Sequence, residues 1–246
     1  MSRNPIFCAI DTTDIAAAVS LAERIAENVG GLKLGLEFFT ANGPKGVREV
    51  QAALGKDIFL DLKLHDIPNT VAAAVKAVMR LRPRYLTLHT AGGSAMLKAA
   101  RRAVCEAADG DRTAPPKLIG VTVLTSFDQA DLAATGVPGS VSAQAHRLAA
   151  LAAEAGLDGL VCSAHEAKSL KTEFGSLLRI VPGIRPDWAA AGDQKRVMTP
   201  AEALREGADI LVIGRPITQA KDPADAARRI AAEIADALPP PRSDPS

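Results

Sequence analysis

Ile58-Phe-Leu-Asp61-Leu-Lys63-Leu-His-Asp66-Ile-Pro68-Asn-Thr70 sets Asp61, Lys63 and Asp66 within six positions at the end of an apolar run. Strand periodicity sends Phe59, Asp61 and Lys63 to one face and Leu60, Leu62 and Leu64 to the other. The leucine face needs a cover of helices, so the charged face belongs to the interior or mouth of a barrel. A solvated, salt-bridged strand end is the plain alternative, and the covered leucine face weighs against it. An ammonium flanked by carboxylates is held charged and ready to donate a proton, which makes Lys63 the first candidate for chemistry.

Outward from this stretch, short apolar runs alternate with alanine-rich amphipathic segments, the pattern of repeated βα units around a parallel sheet. Eight strands are predicted: Ile6 to Asp11, Leu32 to Gly35, Ile58 to Leu64, Tyr85 to Thr90, Leu118 to Leu124, Gly159 to Ser163, Arg179 to Gly183 and Ile210 to Gly214. Ile15 to Val29, Val71 to Arg80, Ser94 to Ala107, Ser142 to Ala155 and Pro200 to Glu206 carry helical spacing. An open doubly wound sheet shows the same alternation, but eight strands that repeatedly end in polar residues favour a closed (β/α)8 TIM barrel of the α/β class. No break in composition divides residues 1–238, so a single domain is expected, with Pro239 to Ser246 as a disordered tail.

The length of 246 residues suits one such barrel. With 29 Lys+Arg against 28 Asp+Glu, no basic surface argues for nucleic acid, and a small, individually recognised ligand is expected. Asp11 comes too early for a signal-peptide core and no uncharged apolar stretch is long enough to span a bilayer, which predicts a cytoplasmic location. Cys8, Cys105 and Cys162 are odd in number and far apart, and read as reduced thiols. Four dispersed histidines without H-x-x-x-H spacing predict no metal site.

Catalytic groups of a barrel gather where its strands end, whatever their separation in sequence. The first strand closes with Asp11, the second carries Lys33, the fourth ends in His89 and Thr90, and the fifth runs into Thr125 and Ser126. The last two lead into Pro182-Gly-Ile-Arg185 and Ile213-Gly-Arg-Pro216, where barrels commonly bind phosphate through backbone N–H groups and a cation. Arg185 to Val197 is too long for a tight turn and reads as a lid, with Gln194 reaching the phosphate. His89 serves equally as a base or as a hydrogen-bonded packing residue, and is left out of the core chemistry.

Together Asp11, Lys33-Leu-Gly35, Asp61-Leu-Lys-Leu-His-Asp-Ile-Pro-Asn-Thr70, His89-Thr-Ala-Gly92, Val121-Thr-Val-Leu-Thr-Ser126, Pro182-Gly-Ile-Arg185, Gly192-Asp-Gln194 and Val212-Ile-Gly-Arg-Pro216 resemble the orotidine 5′-phosphate decarboxylases over nearly the whole chain. The resemblance implies a (β/α)8 homodimer that removes CO₂ from orotidine 5′-phosphate without metal or organic cofactor. It implies that Lys63 delivers the proton to pyrimidine C6 within an array of Lys33, Asp61, Lys63 and Asp66, with Asp66 and Thr70 supplied by the partner subunit and Ile67 among the substrate contacts. It further implies that Asp11 and Lys33 hold the ribose, Thr125 the base, and Gln194, Gly214 and Arg215 the phosphate, with Arg185 on the closing loop.

Loss of CO₂ leaves an electron pair in the ring plane, out of conjugation, so fixed charge must stabilise it, and Lys63 supplies that charge. Whether Asp61 strains the substrate carboxylate or orients Lys63 stays open in the sequence. Metal-dependent phosphosugar decarboxylases and aldolases of the same scaffold also carry D-x-K-x-x-D, but they place an acidic ligand at the end of strand two. Here Lys33 stands in that place and Glu37 falls beyond the strand. A Schiff-base aldolase would want Lys63 in apolar surroundings, and a catalytically silent phosphate sensor would tolerate its loss.

Overall fold

A computed structural model describes residues 4–108, 114–189 and 198–237. Strands β1 (Ile6–Ile10), β2 (Gly31–Leu34), β3 (Asp57–Leu64), β4 (Tyr85–His89), β5 (Lys117–Val121), β6 (Gly159–Val161), β7 (Leu178–Pro182) and β8 (Ile210–Ile213) pair in sequence order and close, β8 onto β1. Every pairing is parallel, and helices form the crossovers, as a (β/α)8 barrel requires. The helices are α1 (Ile15–Ile25), α2 (Leu36–Leu54), α3 (Pro68–Met79), α4 (Gly93–Ala108), α5 (Gln129–Ala134), α6 (Val141–Glu154), α7 (Ala164–Glu173), α8 (Pro200–Arg205), α9 (Arg215–Thr218) and α10 (Pro223–Ala237).

Local chemistry starts these helices where the sequence turns polar. Asp14 caps α1 through the Ala17 N–H, and Ser163 with Glu166 and Thr199 with Glu202 form reciprocal capping boxes on α7 and α8. β3 stops at Leu64, and Pro68 opens α3 at a position where its missing N–H costs nothing. Gly43, at φ +57, kinks α2 just before Pro44. All eight predicted strands are present, with ends moved by up to three residues. The predicted spans run on to Asp11, Leu124 and Gly214, where the chain has already left the ladder.

Two apolar layers result. Leu32, Leu34, Leu60, Leu62, Leu86 and Leu88 pack outward against the helices. Phe7, Phe59, Tyr85, Ile119, Ile180 and Ile210 fill the barrel itself. Phe7, Phe59 and Tyr85 meet edge to face in all three pairs, with centroids 5.4 to 6.4 Å apart, and plug the barrel below Asp61. Each such side chain contributes on the order of 2 kcal/mol by leaving water. Among the described residues no helix is long and apolar enough to cross a membrane. The predicted tail, Pro239 to Ser246, lies outside the described residues.

Cys8 and Cys162 are buried, and burial pushes both thiols up to about 12, with the Asp11 charge adding to the first and the Glu166 charge to the second. Cys105 on α4 is exposed. The native protein is therefore expected to titrate one thiol per chain with an aromatic disulfide reagent at neutral pH, and three after denaturation. Rapid reaction of a second thiol in the native protein would contradict this burial.

Candidate active site

Asp11, Lys33, Asp61 and Lys63 form a row of alternating charge across the ends of β1, β2 and β3. Lys33 Nζ lies 3.7 Å from Asp11 Oδ1 and 3.7 Å from Asp61 Oδ2, and Lys63 Nζ lies 2.8 Å from the same Asp61 oxygen. Asp61 is buried, so its charge is tolerable only because two ammonium groups and one hydroxyl surround it. That hydroxyl belongs to Thr87 of β4, which donates to Asp61 Oδ1 at 2.9 Å and accepts the Lys63 backbone N–H at 2.8 Å. Lys63 itself has φ +48, a left-handed backbone that costs a non-glycine residue about 1–2 kcal/mol. The simple alternation therefore holds through Asp61 and breaks at Lys63, where β3 slips register against β4.

Two cavities of about 200 Å³ each open on this row. Lys33, Asp61, Lys63 and Thr125 line the first, over a floor of Phe59, Val161, Ile180 and Val212. Asp11, Lys33, Gly183, Arg185, Gly214 and Arg215 line the second. Lys33, Pro182 and Val212 belong to both, so the cavities adjoin. The first can hold a planar group against an ammonium, and the second offers two guanidinium groups suited to a phosphate. Gly183, at φ +78, makes the turn that carries the chain from β7 to the buried Arg185. The Arg185 N–H donates to the Met198 carbonyl, which joins the two described ends of the long β7–α8 connection.

Asp66, Ile67 and Thr70 do not join the row within one chain. Residues 65–70 are all exposed, Ile67 at 66%, and among the described residues Asp66 Oδ1 accepts the adjacent Ile67 N–H. Gln194, with Gly192 and Asp193, lies outside the described residues. Among the described residues no three His, Cys, Asp or Glu side chains gather to hold a metal ion.

With this geometry in place, the family model described as "Orotidine 5'-phosphate decarboxylase / HUMPS family" matches residues 4–230. The chain belongs to that family. It is 59% identical to the orotidine 5′-phosphate decarboxylase of Rhodospirillum rubrum over 95% of both chains. It is 52% identical to that of Moorella thermoacetica, over 95% of this chain and 93% of the relative. Its fold superposes on the crystal structure of orotidine 5′-phosphate decarboxylase from Lactobacillus acidophilus with a TM-score of 0.83, at 33% identity, over 94% of this chain and 99% of the other.

The orotidine 5′-phosphate decarboxylase resemblance drawn from sequence singled out twelve positions. Asp11, Lys33, Asp61, Lys63, Thr125, Arg185, Gly214 and Arg215 surround the paired cavities. Thr87 was not among the twelve, although the alternation Tyr85-Leu-Thr-Leu-His89 already pointed it inward with Tyr85. His65 also escaped a firm placement: it stacks on His89 with centroids 5.2 Å apart. Burial, then His65 and Lys63, lowers the His89 pKa from its ordinary value, so His89 stays neutral where an ordinary histidine begins to charge. His89 lines neither cavity and stacks on His65, which fits packing better than proton transfer.

Proposed function

We propose that the chain decarboxylates orotidine 5′-phosphate to UMP, as a cytoplasmic homodimer, with Lys63 as the proton donor. The observation that carries this reading is Lys63 Nζ held 2.8 Å from a buried carboxylate, beside an arginine-lined cavity that shares Lys33 with it. In this reading Arg185, Arg215, the Gly214 backbone and Gln194 take the phosphate, Asp11 and Lys33 the ribose, and Thr125 the pyrimidine edge. The C6 carboxylate then faces Asp61. The bond from C6 to the carboxylate carbon breaks, its electron pair stays on C6 in the ring plane, and the Lys63 ammonium stabilises that pair before giving C6 a proton. Neutral Lys63 recovers its proton from solvent.

Binding of the remote phosphate is the natural source of energy for holding the base against like charge, so part of it is realised in turnover rather than affinity. The exposed Asp66, Ile67 and Thr70 support completion of the site by a second subunit, since a charged loop beside a strongly exposed isoleucine is suited to a neighbour's surface. The metal-dependent phosphosugar alternative needs an acidic ligand at the end of β2. Lys33 stands there, bridged to Asp11 and Asp61, and Glu37 is exposed on α2.

Purified protein in excess EDTA, mixed with orotidine 5′-phosphate, is expected to show a rapid fall in the substrate's ultraviolet absorbance. No fall, together with magnesium-restored activity on a phosphosugar, would move the chain to the alternative.

A further inference from the structure

Thr87 is wholly shielded from solvent on β4, between Leu86 and Leu88, which pack outward. It lines neither cavity. Its oxygen accepts the Lys63 N–H at 2.8 Å and donates to Asp61 Oδ1 at 2.9 Å. An amide N–H only donates, so the single hydroxyl proton is committed to the carboxylate. The strands lose register at this point: Leu60 pairs with Leu86 and Leu64 with Leu88, so Asp61, Leu62 and Lys63 of β3 face one residue of β4, Thr87. In a regular ladder a β4 carbonyl would receive the bulged amide; here the Thr87 side chain does. The amide it receives belongs to the residue whose backbone is left-handed, at φ +48.

We propose that Thr87 is the positioning residue of the charge row. One hydroxyl fixes both the backbone turn at Lys63 and the rotation of the Asp61 carboxylate, and so sets the direction from which the Lys63 ammonium meets the substrate. With Oδ1 tied to Thr87, Asp61 presents Oδ2 to Lys63 at 2.8 Å and to Lys33 at 3.7 Å. Without the hydroxyl the carboxylate is free to turn about its own bond, and Lys63 loses its amide anchor along with the fixed orientation of its Nζ partner. Threonine suits the task because its branched Cβ restricts χ1, so the hydroxyl is aimed before the site forms. Thr87 acts through its two neighbours and touches no reacting atom.

The inference rests on the decarboxylase reading, and the test keeps the two apart. Thr87→Val keeps the shape and removes the hydroxyl, whereas Thr87→Ser keeps the hydroxyl and removes the methyl. Steady-state kinetics on orotidine 5′-phosphate and calorimetric binding of UMP are measured for both variants and the parent as intact protein. Thr87→Val is expected to lower kcat on the order of 10²-fold, the usual cost of misplacing a catalytic group by about an ångström. UMP affinity should stay within about threefold of the parent, and Thr87→Ser should keep kcat within about fivefold, because a packing role would move binding and turnover together. If Thr87→Val does not fold, Thr87→Cys, which fills the site with a weaker donor, carries the same expectation of lowered kcat. A folded Thr87→Val protein turning over within about threefold of the parent overturns the proposal. So does an equal loss of UMP binding and kcat in both variants. A parent that does not turn over overturns the decarboxylase reading and this inference with it.

Discussion

Lys63→Ala is expected to lower kcat on the order of 10⁴-fold or more, because it removes both the proton donor and the charge nearest the developing electron pair. UMP affinity should change by less than about tenfold, since Arg185, Arg215 and Lys33 remain in the adjoining cavity. The two readouts separate chemistry from binding. The row should survive the substitution, as Asp61 keeps Lys33 at 3.7 Å and Thr87 at 2.9 Å. Alanine does not relieve the left-handed backbone at this position, so the turn stays held by the Thr87 hydroxyl. Turnover and calorimetric UMP binding on the same preparation check the expectation. Near-normal turnover would sink the assignment of Lys63, and simultaneous loss of UMP binding would mean the row had collapsed.

The second large effect concerns assembly. Asp66→Ala and Lys63→Ala proteins are each expected to be inactive, and to regain activity when mixed and allowed to exchange subunits. If Asp66 completes the neighbour's site, a mixed dimer holds one site with both lesions and one with neither. Random exchange of equal amounts makes half the dimers mixed, so about one quarter of the parent's activity should return, as expected for a two-fold interface. Activity assayed before and after exchange, with heterodimer formation followed by tagged subunits, gives the answer. No recovery despite verified exchange would place the whole site within one chain.

Much of the barrel is legible in sequence because burial imposes a simple period. Leu60 and Leu62 face the helices and Phe59 the interior, as alternation requires. The period fails where hydrogen bonding, not burial, takes control. At Lys63 a bulge and a left-handed residue turn the chain, and neither follows from the polarity of Asp-Leu-Lys-Leu. Strand ends are misjudged for a related reason: Asp11, Leu124 and Gly214 extend or directly follow apolar runs yet stand past the last ladder residue. Thr87 was readable as inward but not as a bridge, because its partners lie 24 and 26 positions earlier on another strand. The exposed face of Asp66, Ile67 and Thr70 could not be read from one chain's hydropathy, which treats a loop for solvent and a loop for a neighbour alike.

The edge-to-face rings of Phe7, Phe59 and Tyr85 make the barrel a cup rather than a tube. Traffic is therefore one-way in space: whatever enters by the rim must leave by it. A decarboxylation in this cup leaves carbon dioxide no rear exit through the packed floor. Substrate and both products of a decarboxylation in such a cup share the rim as their route, because the floor is closed by packed rings.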